Sequence, residues 1–407
     1  MGRGSLPVIE RDGEIMNMSK NKSPITYGKE MCDAIINSQR PGELWPAGAM
    51  FYIPGVFMSG ALRVWKLCGE QKYFDYVKEY FDCVLPSDGS VYGINHEIPV
   101  PNTDGAHYNY NALTMLDCKQ PCVLLHDLYD ETGDEKYLKV IKTIGESMYY
   151  WPVNEYGGYW HMMVQHHQMW MDGAYMAGPL SVKYAKRFGD PTLRERAIHQ
   201  VFLMNDYIKD EKTGLYFHGW DPSKEAEWAD PETGLSAHIW GRAVGWYAVA
   251  ILDILDDIPE DHPAVERLKQ IEVDLLTVLV KYQDPVTGKW YQVLDKPGQE
   301  GNWVETSCTS LFAYSYAKAI RKGILSTEFA PVLEKAYHGL IDGLYYHENG
   351  QLVLDGVCMG TCIEAGTYEH YINRRQVQND LHGAGAFTLM CTEMELYYKE
   401  MNHMEKM

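Results

Sequence analysis

Two runs hold the residue types that chemistry on a sugar acid requires. The first is Trp170-Met-Asp172-Gly-Ala-Tyr-Met176-Ala-Gly-Pro-Leu180, and the second is His238-Ile-Trp240-Gly-Arg242-Ala-Val-Gly245-Trp246-Tyr-Ala. Each sets a charged residue among tryptophans and glycines at the expected start of a long helix. Aromatic rings stack on pyranose faces, a guanidinium pairs with a carboxylate, and a carboxylic acid moves a proton. Asp172 and Met176 stand four residues apart and share a helix face, with Trp170 just ahead of the first turn. Two influences oppose each other at Asp172. A helix N-terminus lowers a carboxyl pKa, whereas burial against Trp170 and Met176, or a second carboxylate nearby, raises it. A proton donor at neutral pH needs the second influence to win. The competing reading is an acid that caps its own helix.

Arg242 and Trp246 are also four apart, and Gly241 and Gly245 are expected to leave room for a ligand beside their helix. Arg242 is then a clamp for a substrate carboxylate, with a buried structural ion pair as the alternative. The second acid is Asp117, in Leu116-Asp117-Cys118-Lys-Gln-Pro121. Its spacing to a helix whose first turn accepts Pro121 is that of an ordinary cap. It nevertheless begins a helix as Asp172 does, so the two acids could meet across a cavity. His161 and His218 end two matching loops, Gly158-Tyr-Trp-His161 and Gly214-Leu-Tyr-Phe-His218, and Gly288-Lys-Trp-Tyr-Gln292 is a third.

Helices must position these residues. From about Tyr27 helical periodicity alternates with short Gly/Asp-rich breaks, after an irregular arm over residues 1–24. The spacing predicts helices near 53–68, 73–83, 121–130, 135–149, 174–187, 192–208, 242–256, 263–282, 306–321, 328–345 and 383–399. Short strands are expected at 157–163, 214–218, 289–293 and 351–354. Leu67-Cys-Gly-Glu-Gln-Lys-Tyr73, Glu131-Thr-Gly-Asp-Glu-Lys-Tyr137 and Arg187-Phe-Gly-Asp-Pro191 each read as a tight turn between two helices. Units recur at about 55 to 75 residues, the length of a helical hairpin with its loops. That period divides the chain into about six hairpins. They can close into an (α/α)6 barrel, one domain over residues 25–407, whose inner helices line a pocket ringed by the aromatic loops. A linear helical solenoid is the alternative.

The 407 residues carry a net charge of −20. That argues against nucleic acid and anionic membranes as partners and makes each cation in a pocket meaningful. No window approaches 18 uninterrupted apolar residues, so no transmembrane helix is expected. The first residues lack the apolar run of a signal peptide, and the nine cysteines read as reduced thiols; both point to the cytoplasm. No metal is expected: His161, His166 and His167 fit no ligand spacing, and Cys118/Cys122 and Cys358/Cys362 lack the zinc spacing. No glycine-rich phosphate loop or Gly-x-Ser-x-Gly supports a nucleotide or serine-hydrolase reading.

Between about Trp45 and Leu396 the chain resembles the unsaturated rhamnogalacturonyl hydrolases of glycoside hydrolase family 105, relatives of the unsaturated glucuronyl hydrolases of family 88. The resemblance rests on Leu116-Asp117, Glu131 to Tyr137, Gln168-Met-Trp-Met-Asp172-Gly and Thr213 to Asp221. It continues through Trp228 to Ser236, Trp240-Gly-Arg242, Tyr291 to Asp295, Glu305-Thr-Ser-Cys-Thr-Ser, Asn379-Asp380 and Gly383 to Phe387. It implies an (α/α)6 barrel acting without a cofactor on an oligosaccharide left by a polysaccharide lyase, with a 4,5-unsaturated uronic acid at its non-reducing end. In such enzymes an Asp protonates C4 of the C4=C5 enol ether, water adds at C5, and the hemiketal opens to release the next sugar. This differs from the usual two-carboxylate glycosidase. By resemblance Asp172 is the proton donor, and Asp117 is the second essential carboxylate, able to hold Asp172 protonated by like-charge coupling. Trp170, Met176, Trp240 and Trp246 fall on the pocket wall. His218 and Arg242 fall on polar substrate contacts, His161 on the neighbouring-sugar subsite and Tyr52 on the first hairpin's contribution.

Two departures stand out, the first bearing on the second sugar and the second able to narrow the pocket, recognise a side branch or form a surface excursion. Met162 follows His161 where relatives can carry Lys, and an apparent insertion spans about Val91 to Ala112. A preference for unsaturated glucuronyl disaccharides is the nearest alternative. A carbohydrate-binding protein or an epimerase on the same scaffold are the others.

Overall fold

Three glycines set the first three hairpins. The computed structural model describes residues 22–91, 96–99, 107–363 and 366–404. Its helices are α1 (Pro24–Ile36), α2 (Tyr52–Cys68), α3 (Gln71–Val84), α4 (Cys122–Thr132), α5 (Glu135–Ser147), α6 (Gly173–Phe188) and α7 (Pro191–Tyr207). After these come α8 (Gly241–Asp257), α9 (Val265–Leu279), α10 (Thr306–Arg321), α11 (Ala330–Asp342), the short α12 (Tyr368–Ile372) and α13 (Leu381–Met404). Gly69, Gly133 and Gly189 end α2, α4 and α6 at φ of 72°, 67° and 70°, a region that only glycine enters freely. Each amide donates back to the last turn of its helix, to Trp65, Tyr129 and Ala185. Asp134 and Asp190 then cap the next helix by accepting from Lys136 and Thr192 amides. The three expected tight turns are therefore helix C-caps joined to N-caps.

Burial separates two rings. In α8 every residue from Gly241 to Leu252 is buried, and in α10 every residue from Thr306 to Ile320. In α5 only Tyr137, Val140, Ile141, Ile144 and Gly145 are, a one-sided stripe. Helices α2, α4, α6, α8, α10 and α13 pack each on the next, and α13 packs on α2 to close an inner ring. Helices α3, α5, α7, α9 and α11 lean outside on their predecessors. The sixth outer helix is α1, packed on α13, so the first and last long helices build the last hairpin. This is an (α/α)6 barrel. The one long helix missing from the sequence expectation is α1, whose polar residues and Gly28 dilute its periodicity.

Gly241 and Gly245 do not make room for a ligand, contrary to expectation. A Cβ at Gly245 would lie 2.8 Å from Leu311 Cδ1, and one at Gly241 3.0 Å from Cys308 Sγ. They let α8 approach α10.

Short strands girdle the end where the inner helices begin. Met169–Trp170 pairs with Gly219–Trp220, Trp290–Tyr291 with Val304–Glu305, and Val357–Cys358 with Gln376–Val377, all antiparallel. Single bridges join Met115 to Met162 and Trp240 to Val293. Of the strands expected from sequence, those at 289–293 and 351–354 are present; 157–163 and 214–218 supply only isolated bridges. Within the apparent insertion, His96–Pro99 pairs with His107–Tyr110, and its remaining core, 92–95 and 100–106, lies outside the described residues.

Candidate active site

Every inner helix begins at the girdle, so the residues at those six starts converge on one place. A cavity of about 400 Å³ opens there, lined by Tyr52, Met115, Asp117, Met162, Trp170, Met359 to Cys362, Arg374 and Asp380 to His382, among others. A second cavity, about 350 Å³, involves the later turns of α2, α6 and α13. Its charges are already matched: Lys66 and Lys183 bind Asp127, and Arg63 and Lys318 bind Asp253.

Asp172 stands just before α6 and makes no side-chain cap to its own helix. Its Oδ2 lies instead 3.2 Å from His218 Nε2. The loop pairing explains why: the Met171 amide donates to the His218 carbonyl at 2.9 Å, which brings the two side chains together. His218 Nδ1 lies 2.8 Å from the Tyr371 hydroxyl. In the charged imidazolium both ring nitrogens donate, Nδ1–H to the Tyr371 hydroxyl, which burial keeps protonated, and Nε2–H to Asp172.

Asp117 has a matching partner. Its Oδ1 lies 3.2 Å from His161 Nε2, and the Leu116 amide donates to the His161 carbonyl at 3.2 Å. The His161 ring stacks on Trp170, with centroids 4.4 Å apart and planes 11° apart. The site thus holds two buried aspartate–histidine pairs separated by a tryptophan.

The electrostatics depart from the sequence expectation. Burial pushes the Asp172 carboxyl up, but the hydrogen bond and charge of His218 and the charge of His161 outweigh it, and the net shift is downward. For His161, burial works downward, and the facing Asp117, with Asp172 behind it, more than reverses it. Without substrate Asp172 is therefore a carboxylate at neutral pH. Asp117 is turned to His161 rather than acting as the group that keeps Asp172 protonated.

The other expected residues fall in two layers. Tyr52 lines the cavity, its hydroxyl 2.8 Å from His382 Nε2. Met176, Trp240 and Trp246 are almost wholly buried behind that surface. Trp246 stacks on Tyr175 at 4.8 Å and meets Tyr52 edge-on at 6.5 Å. Trp240 donates to Gln292 Oε1 at 3.1 Å and packs 4.8 Å from His218. Arg242 lies over Trp240 and is fully buried. It donates to the Cys358 carbonyl at 2.5 Å, the Met359 carbonyl at 3.3 Å and Ser307 Oγ at 3.3 Å. Glu305 accepts from the Cys358 amide at 2.8 Å. Glu305 and Arg242 so grip the backbone of Cys358 at its N–H and its carbonyl and fix the segment running to Cys362.

Asp380, His382 and Arg374 also line the cavity and were given no site role from the sequence. Asp380 Oδ1 lies 2.6 Å from His382 Nδ1, which completes a chain from Tyr52 through His382 to Asp380. The signal for this pair was available, because it stands at the start of the last inner helix, where Asp172 stands on the third. Arg374 follows α12 in a loop, and no pattern in the sequence marks it.

Buried acids and aromatic rings at the mouth of an (α/α)6 barrel define a carbohydrate-active enzyme. The chain belongs to Glycosyl Hydrolase Family 88, whose model matches residues 27–398. A family 105 glycoside hydrolase from C. acetobutylicum ATCC 824 is 31% identical, with a TM-score of 0.81 over 91% of this chain and 99% of that one. Protein Atu3128 of Agrobacterium fabrum is 33% identical over 230 residues, which is 54% of this chain and 97% of its own length. The unsaturated rhamnogalacturonyl hydrolase YesR of Bacillus subtilis is 24% identical over 78% of this chain and 80% of its own.

Proposed function

We propose that this glycosidase removes a 4,5-unsaturated uronic acid from the non-reducing end of lyase-generated oligosaccharides, with Asp172 as proton donor. The observation that carries the reading is the placement of Asp172. It is a buried acid that makes no cap to its own helix and pairs instead with His218, two residues after Trp170 of the cavity wall.

The substrate expels water as it seats. Burial, already the largest single influence on Asp172, then grows and draws the carboxyl up toward protonation. Asp172 gives its proton to C4, and positive charge develops across C5 and the ring oxygen. Water adds at C5 and returns a proton to Asp172. The hemiketal opens and the next sugar leaves, for a net uptake of one water. Asp117 and His161 hold Trp170 and the sugar in register. The chemistry needs no metal, because an enol ether is already reactive toward acid.

Pectic rhamnogalacturonan is the source we favour. Met115 and Met162 line the cavity, and an apolar wall suits the methyl group of a 6-deoxyhexose in the second subsite. Nine cysteines, none in a disulfide among the described residues, support a reducing, cytoplasmic setting, and no helix among the described residues is long and apolar enough to cross a membrane. Loss of ultraviolet absorbance by the C4=C5 bond tests the reading, with unsaturated rhamnogalacturonan and unsaturated glucuronyl disaccharides side by side. Faster loss with the first is expected. Faster loss with the second would move the chain to the glucuronyl class, and binding without loss would leave a carbohydrate-binding protein.

A further inference from the structure

A uronide is an anion, and this chain carries a net charge of −20. Two aspartates, Asp117 and Asp380, also line the cavity. Something must offset that field before a carboxylate can sit there. Arg242 is poorly placed for the task. Both terminal nitrogens of its buried guanidinium already donate to protein oxygens, and freeing them would release the peptide that they hold.

Arg374 is the one Lys or Arg among the described residues that line the cavity. It reaches the wall from the loop just before the strand opposite the gripped segment, where the Met359 amide donates to the Arg375 carbonyl at 2.9 Å. One terminal nitrogen donates to the Gly360 carbonyl, which fixes the plane of the guanidinium. Its Nε is buried with no partner, and the second terminal nitrogen makes no hydrogen bond among the described residues. Thr361, on the same wall, has a hydroxyl without a partner as well. A planar fork with idle donors, anchored by its neighbour and next to an idle hydroxyl, suits a planar carboxylate.

We propose that Arg374 pairs with the substrate's carboxylate and makes the cavity selective for a free uronate over its ester. The inference rests on the reading that the cavity takes an unsaturated uronide. Arg242 then serves as a positioning residue that holds the 358–362 wall to which Arg374 is anchored.

The test compares an unsaturated uronide with its methyl ester on wild type, Arg374→Gln and Arg374→Lys. Wild type should have the lower KM for the acid. Arg374→Gln should raise that KM roughly ten- to hundredfold, the value of a charged hydrogen-bonded pair, and leave the KM for the ester unchanged. Arg374→Lys should recover part of the loss. An unaltered KM for the acid in Arg374→Gln, or an equal loss for acid and ester, overturns the assignment. Should Arg374→Gln fail to fold, wild type itself decides, since equal KM values for acid and ester contradict the proposal. Absence of turnover of any unsaturated uronide by wild type would instead overturn the functional reading on which the inference stands.

Discussion

At the scale of the residue, His218 sets the state of Asp172. Its hydrogen bond and charge outweigh a burial that would otherwise push the carboxyl up. A donor must be protonated, and a depressed pKa means that the proton is lost at lower pH. Replacing His218 with Gln removes the charge and lets burial prevail. The pH at which kcat/KM falls on the alkaline side should then rise, even as the maximal rate drops. Titration of the variant over the whole pH range checks this; an unmoved alkaline limb would show that His218 does not control Asp172. The linkage for folding has the opposite sense. A depressed carboxyl stabilises the folded state above its ordinary value of 3.8, and that stability is lost as the pH falls through the folded value.

At the scale of the element, the chain was legible where a turn or a period repeats. The three turn glycines appeared as Gly-centred breaks between periodic runs, and the aromatic loops revealed their terminal His161, His218 and Gln292. What sequence could not convey was the partner of each. Spacing allowed Asp172 and Asp117 to be helix caps; loop pairing across the girdle gives each a histidine instead. Gly241 and Gly245 looked like ligand space and prove to be contact space for α10, because a glycine reports a close approach without naming what approaches. Gly245→Ala should therefore lower stability by about 1–3 kcal/mol through its clash with Leu311, and should lower kcat by shifting the start of α8. Gly69→Ala meets nothing within 4 Å; its cost of about 1 kcal/mol comes from the positive φ, and kcat should stay unchanged. Denaturant unfolding and turnover, measured on both variants, separate the two effects. Equal kcat in both would remove the link from α8 packing to the site.

At the scale of the whole molecule, the barrel is closed by its first and last long helices. Helix α1 buries Tyr27, Met31, Cys32 and Ile35 against the rest of the barrel, with α13 as its main neighbour. Each large apolar side chain lost from such a core costs about 2–5 kcal/mol, and the total stability of a domain is about 5–15 kcal/mol. Deleting the chain through Ile36 should therefore abolish cooperative unfolding, whereas a barrel that melts cooperatively without α1 would contradict the closure. Closure also explains why residues from every hairpin meet: Tyr52, Asp117, Asp172, Arg242, Glu305 and His382 lie at or beside the starts of successive inner helices. Sequence order hid that ring, and only the hairpin period hinted at it.

The most direct measurement is the absorbance of the C4=C5 bond during reaction of unsaturated rhamnogalacturonan disaccharide with wild type and Asp172→Asn, alongside the affinity of each for that disaccharide. The account predicts rapid loss with wild type, a rate lower by about 10²–10⁴-fold with Asp172→Asn, and similar affinities. A near-normal rate in Asp172→Asn, or no loss with wild type, would contradict it.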